Sequence, residues 1–353
     1  MKKTLDFLRM HFEISVQGEL KPMKMEHFRS ILPPMAYPFQ LSYADHFLGV
    51  GSCFVEEMGQ RLQDLKFSIQ FNPQGIVFNP VSVALSLERL LMPKIYQAEE
   101  LFQHQGLWHS FDHHGRFSSP SPEDTLHHIH QAQSQGQIQL QKASVLMLTL
   151  GSANVWEHLV QERIVSNCHK LPRSVFQRKR LSVAEIVETL GRNIQAILAL
   201  RPAINIILTV SPVRYLREGI LENTRSKATL LLAVEQLCQQ FDQVHYFPAY
   251  ELLMDDLRDY RFYAEDLAHP SHLATHYIWE YFKQSFFAPV VLNQLQDLEK
   301  LKQATLHRPL HPESASHQQF IAQQLEYIQR LEHKYPEMDF SVEKKIFNQQ
   351  LKA

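Results

Sequence analysis

One thiol and one imidazole–carboxylate pair are the side chains of this chain best suited to chemistry. Cys53 closes the run Phe47-Leu48-Gly49-Val50-Gly51-Ser52-Cys53-Phe54, an apolar stretch that leads straight into a helical pattern. A thiolate at a helix N-terminus has a depressed pKa and attacks carbonyls well. The unpaired N–H groups of that first turn can also face an oxyanion. Cysteine is often no more than a small buried residue, so a catalytic reading needs a base. Asp266-Leu267-Ala268-His269-Pro270-Ser271 offers one. His269 can take the thiol proton while Asp266, three residues earlier, holds the other ring nitrogen and sets the tautomer. The competing reading makes Asp266 or Ser271 a helix cap and leaves His269 on the surface. Placement after the last expected strand favours chemistry, because open α/β sheets bind ligands beyond the carboxyl ends of their strands.

The elements that must position these groups are readable in part. Residues 47–50 form the expected first strand, and Val55, Met58, Leu62 and Leu65 follow at helical spacing, with Glu56 and Glu57 early, where the dipole favours acids. Residues 71–80 are turn-rich, and Gly75 could bring backbone close to a ligand. A helix over 81–95 and a His-, Gln-, Ser- and Pro-rich excursion near 96–135 come next. Residues 145–150 read as a strand covered on both faces. Ser182 and Glu185 form a capping box before Ile186, Leu190, Ile194 and Ile197. A strand at 203–210, a helix over 225–240, a short strand at 244–247 and a helix capped by Ser271 complete the alternation. It predicts a mostly parallel sheet with helices on both faces. Residues 313–334 place Ile321, Leu325, Ile328 and Leu331 on one stripe. Their polar face is not strongly basic, so docking on the chain's own domain is expected rather than a membrane, with helix-mediated self-association left open.

The 353 residues are 44% hydrophobic, enough for a sizeable core. Balanced charge, 35 basic against 37 acidic residues, gives no nucleic-acid-binding surface. Three scattered cysteines point to a reducing compartment. Lys2-Lys3 precede no signal-peptide core, and no stretch approaches a membrane span, so cytoplasmic residence is expected.

Several ordered motifs carry a family resemblance. Gly51-Ser52-Cys53-Phe54-Val55 resembles the motif that names the GSCFA domain family, with Val55 in place of Ala. The resemblance runs on through Asn72-Pro73-Gln74-Gly75-Ile76, Phe78-Asn79-Pro80, Thr209-Val210-Ser211-Pro212-Val213-Arg214 and residues 260–271. That family is grouped with the SGNH, or GDSL-like, hydrolases. The resemblance therefore implies a flavodoxin-like three-layer sandwich, with a mostly parallel sheet of about five strands, plus an N-terminal arm (1–45) and C-terminal helices (291–353) around a 46–290 core. SGNH enzymes deacylate esters with a Ser in Gly-Asp-Ser and an Asp-x-x-His pair. Matched glycine to glycine, Cys53 takes the nucleophile's place, Ser52 that of the Asp, and Asp266 and His269 that of the pair. Ser52 is the alternative nucleophile. By the same resemblance Gly75 supplies an oxyanion N–H. Gly151-Ser152-Ala153-Asn154 resembles the block that adds an Asn side chain, with Ala153 at the matching position and Asn154 one residue later.

The implied activity is esterase or acyltransferase chemistry on an acylated small-molecule or glycan-like substrate, such as an O-acetylated sugar, through Cys53, His269 and Asp266. The alternative is a non-catalytic ligand-binding or interaction module that keeps the pocket. Arg214 follows a strand end and could bind a substrate anion or pair with Glu251 or Asp256. Trp156 and Glu157 could border the pocket. Seven His between His104 and His130 match none of the common zinc signatures, so no metal is expected. Without a Gly-x-Gly-x-x-Gly fingerprint or P-loop, no nucleotide cofactor is expected either.

Overall fold

The computed structural model describes residues 29–351. The chain divides after Pro33, and the unit from Pro34 onward carries everything below. Residues 1–28 of the expected arm lie outside the described residues.

The core starts at β1 (His46–Gly51), whose residues alternate faces, Leu48 and Val50 to one side, Phe47 and Gly49 to the other. The chain continues through α1 (Cys53–Asp64), β2 (Ser68–Phe71) and α2 (Pro80–Leu91). A hairpin follows, β3 (Phe102–His104) and β4 (Leu107–His109), then α3 (Pro122–Lys142) and β5 (Val145–Leu150). A small antiparallel sheet of β6 (Asn154–His158), β7 (Arg163–Val165) and β8 (Phe176–Arg180) interrupts the alternation before α4 (Val183–Leu200). Next come β9 (Asn205–Val210), α5 (Ile220–Gln240), β10 (Val244–Tyr246) and α6 (His272–Phe286).

The main sheet has the order β10-β9-β5-β1-β2 and every pairing is parallel. Counted along the chain, that is the 2-1-3-4-5 order of flavodoxin-like folds, with the winding direction reversing between β1 and β5. One face buries Leu48, Val50, Leu146, Leu148, Ile206 and Leu208 against α2, α3, α4 and α5. On the other face phenylalanines interlock. Phe47 meets Phe67 edge-on, Phe67 stacks on Phe287, and Phe247 meets Phe282 of α6 at 5.3 Å between ring centroids. α1 lies on this side too, and its Arg61 donates to Thr275 of α6 at 3.0 Å. The result is a three-layer sandwich.

The expected excursion at 96–135 is shorter than its composition suggests. Residues 122–142 form α3, which begins with Ser121 as N-cap, Pro122 in the first turn and Glu123 and Asp124 behind it. Its buried stripe, Thr125, Ile129, Gln133, Gly136 and Leu140, has helical spacing but only two large apolar residues, so polarity masked the period.

Residues 34–45 clasp the sheet edge: the Tyr37 hydroxyl donates to the Tyr246 carbonyl at 2.6 Å and its ring stacks on Phe286. At the other end, α7 (Pro289–Thr305), α8 (Ala315–Lys334) and α9 (Ser341–Leu351) pack together. The α8 stripe buries Ile321, Ile328 and Leu331 and leaves Leu325 partly exposed. Among the described residues no helix is long and apolar enough to cross a membrane.

Candidate active site

Cys53 is the first residue of α1, two positions beyond the carboxyl end of β1 and beside the point where the winding reverses. Two loops and strand β5 knit around it. Gly51 takes a positive φ, and a Cβ there would collide with the Thr149 backbone, so only glycine lets β1 pass this close to β5. The Gly51 N–H donates to Asn72 Oδ1 at 2.8 Å, and its carbonyl accepts from Val77 N–H at 3.0 Å. Ser52 N–H donates to Thr149, and the Phe78 carbonyl accepts from both Gly151 and Ser152. The strand end that carries Cys53 is therefore fixed by the loops after β2 and after β5.

Asn72 is the hub of this knot. It is fully buried, and besides holding Gly51 it donates from Nδ2 to Glu56 Oε1 at 3.2 Å. Its carbonyl accepts from Gly75 N–H at 2.8 Å and from Arg116. The sequence marked this segment as turn-rich and part of the family resemblance, but gave Asn72 no role of its own.

The Cys53 thiol is pushed up first by burial and next by the nearby Glu56 carboxylate. Its own N–H, the Phe54 N–H and the Lys227 ammonium pull the other way. Lys227 is the second residue the sequence left unassigned. It lies on α5 at 1% exposure, and its Nζ donates to the Ser211 carbonyl at 2.7 Å. Burial pushes its pKa down to about 7, while Cys53 acts in the opposite sense. Its neighbour Ser226 takes the Ala153 N–H at 2.7 Å and meets the Ser152 hydroxyl, which joins α5 to the loop after β5. The sequence places Lys227 only within a helix over 225–240, and its burial comes from the packing of that helix.

Asp266 and His269 come together. Asp266 Oδ2 lies 2.5 Å from His269 Nδ1, while Oδ1 accepts from the N–H groups of Ala268 and His269 at 3.0 and 2.9 Å. Those two backbone bonds, His269 first, and then the ring contact hold the Asp266 carboxyl well below the usual carboxylate range. Ser271 caps α6 through Ala274 N–H, so cap and acid are separate residues. Arg214, in the loop after β9, anchors the turn: its N–H donates to the Ala268 carbonyl at 2.9 Å and its guanidinium to that of Leu267 at 3.3 Å. The guanidinium also lies over the Tyr263 ring. Arg214 thus serves the turn, while Glu251 accepts from the Tyr246 hydroxyl and Asp256 from that of Tyr277.

The remaining candidates are placed as follows. Ser52 is 4% exposed, and its hydroxyl accepts from Phe54 N–H as the N-cap of α1. The Gly75 N–H is given to Asn72 in a turn whose positive φ and contact with His114 exclude a side chain. In this conformation it does not point at an oxyanion. Asn154 opens β6 and is buried, with an Oδ1 that has no hydrogen-bond partner among the described residues. Trp156 lines a cavity of about 430 Å³ at this same edge, and Glu157 lines a different one. Most of the seven His serve locally. His109 bonds Ser118 and the His104 carbonyl, His113 bonds Ser110, and His130 accepts from Tyr96 N–H. Among the described residues no three His, Cys, Asp or Glu side chains come together as a metal site.

Fold and site define a class: a flavodoxin-like α/β protein with a thiol at the switch point and an Asp–His turn at the same edge. The sequence model of the GSCFA family matches residues 46–282, and that of the GSCFA domain protein, C-terminal domain, matches residues 298–353. The chain belongs to the GSCFA family. No curated protein matches it. Among solved structures it is similar to a candidate platelet activating factor from Streptococcus pneumonia, at 15% identity and TM-score 0.34, covering 74% of this chain and 86% of that one. It is also similar to a carbohydrate esterase family 3 protein from Talaromyces cellulolyticus, at 9% identity and TM-score 0.33, over 71% and 97% of the two chains. A Clostridium thermocellum family 3 carbohydrate esterase gives 12% identity and TM-score 0.30, over 72% and 98%. Likenesses this distant carry no functional weight.

Proposed function

We propose that this protein is an SGNH-like esterase or acyltransferase that forms an acyl-thioester on Cys53. The observation that carries the reading is the 2.5 Å contact between Asp266 and His269, on a turn pinned to the loop after β9 at the sheet edge where Cys53 opens α1. A carboxylate held ionised orients the imidazole and stabilises the imidazolium that proton transfer creates. His269 takes the Cys53 proton, and the sulfur adds to the ester carbonyl. The oxyanion meets the Cys53 N–H at the start of α1, with Asn154 close behind the switch point. His269 then returns the proton to the leaving alcohol, and water or a second hydroxyl takes the acyl group.

Burial keeps the resting thiol protonated, so the base has work to do, and Lys227 offsets part of the cost of the thiolate. The substrate class is an acylated, O-acetylated sugar-like molecule, by resemblance to SGNH hydrolases. The test is turnover of 4-nitrophenyl acetate and of acetylated monosaccharides by the parent and by Cys53→Ala. Acetate release that vanishes in the variant supports the reading. Release that is equal in both, or absent from the parent while the sugar still binds, rejects it in favour of a binding module.

A further inference from the structure

The cavity of about 430 Å³ at the carboxyl edge has an unusual wall. It is built from the loop after β2 (Ile76, Phe78, Asn79), the β6–β8 insertion and the loop after β9 (Tyr215, Arg217), together with His114. Three of its side chains are cationic, Lys170, Arg173 and Arg217, and among the described residues its lining contains no Asp or Glu. That is unexpected in a chain with more acidic than basic residues. Carboxylates outside the lining answer Arg173 and leave Lys170 and Arg217 as the excess. Glu218 faces both Arg173 and Arg178, at 3.1 and 2.9 Å, and Glu222 faces Arg178, Arg180 and Arg225. His169 adds no charge, because burial pushes it down to about 4.

Ser166 also belongs to this wall, although its hydroxyl is shut off from solvent, with no hydrogen-bond partner among the described residues. Trp156 and Tyr215 supply ring faces of the kind that pack on sugars and other ring ligands. The wall is continuous with the nucleophile's strand end: Val77, between Ile76 and Phe78, donates to the Gly51 carbonyl.

We infer that this cavity is a subsite for an anionic group, a carboxylate or a phosphate, carried by the sugar-like substrate of the Cys53 site. Lys170 and Arg217 supply the charge, beside an Arg173 that Glu218 already pairs. The inference rests on the proposed acyl-transfer reading for the substrate's ester, though not for the binding itself. A neutral acetylated sugar would leave the cationic wall unanswered, whereas an acetylated uronic acid or sugar phosphate would neutralise it. Charge-assisted bonds here are shorter and stronger than neutral ones, and steering toward the cleft would weaken with salt.

The experiment is calorimetric binding of glucose, glucuronate and glucose 6-phosphate to full-length Cys53→Ala protein, so that turnover plays no part. Glucuronate or glucose 6-phosphate should bind at least about tenfold more tightly than glucose, with the preferred anion telling carboxylate from phosphate, and 0.3 M salt should erode the difference. Joint replacement Lys170→Gln and Arg217→Gln should remove that preference while leaving 4-nitrophenyl acetate turnover in the otherwise parental chain unchanged. Equal binding of all three sugars, or an anion preference that survives the double replacement, overturns the subsite. Anion binding of the expected pattern in a parent with no ester turnover leaves the subsite standing and rejects the acyl-transfer reading alone.

Discussion

The two halves of the proposed catalytic pair are held in opposite ways. Cys53 sits at a buried strand end, locked by Asn72 and Val77 from the loop after β2 and by Thr149 of β5. His269 rides on a turn whose two key side chains are about half exposed, 53% and 50%, and whose shape depends on Asp266 and on Arg214. A nucleophile needs a fixed position and an oxyanion site built from backbone, and the first crossover of the sheet provides both. A base that must shuttle a proton needs a held tautomer and room to meet substrate, and a loop provides those. The difference teaches that damage to the Cys53 side should cost chemistry and stability together, whereas damage to the His269 side should cost chemistry alone.

The largest expected effect tests the first half. Cys53→Ala should lower ester turnover by at least about 10³-fold, with unchanged substrate affinity by calorimetry. Ser52 does not substitute, because its hydroxyl is committed to the α1 cap. On the other side, His269→Ala should lower turnover by about 10²–10⁴-fold. Asp266→Asn should follow with a smaller loss while the protein keeps its Tm. A clear fall in Tm for either variant would break the contrast between the two halves.

Lys227→Met sharpens it further. Lys227 is buried, and its folded pKa of about 7 lies below the free value of 10.5, so the unfolded chain holds more protons across that window and parental stability rises with pH there. The advantage of the Met variant over the parent should therefore be largest below pH 7 and shrink toward pH 10.5, read from denaturant midpoints. Its Cys53 should alkylate more slowly at a given pH, because the ammonium that favours the thiolate is gone. The smallest effect belongs to Ser52→Ala, which removes one helix cap and should cost about 1 kcal/mol of stability with turnover reduced only through the shifted α1.

Much of this frame was legible in the residues. The strand at 47–50, the apolar run at 145–150 and the capping box of Ser182 and Glu185 all announce local structure that the fold keeps, because each depends on period and capping alone. The Asp266–His269 contact was legible for the same reason, since three residues of a turn suffice to make it. What escaped depends on distant partners. Lys227 becomes a buried charge only because α5 packs its Ser226 against the loop after β5. Asn72 becomes a hub only because β1 and β2 are neighbours. The β6–β8 sheet escaped because short strands such as Arg163–Val165 give too few residues for a period of two to show.

The central claim is that Cys53 attacks and His269 makes it able to. Intact-mass analysis after brief exposure to an activated acetyl ester tests it most directly, with peptide mapping of any adduct. The account predicts a single acetyl adduct on Cys53 that forms markedly more slowly in His269→Ala at neutral pH and recovers as alkali ionises the thiol unaided. An adduct elsewhere, or one on Cys53 that forms at the same rate with and without His269, would contradict it.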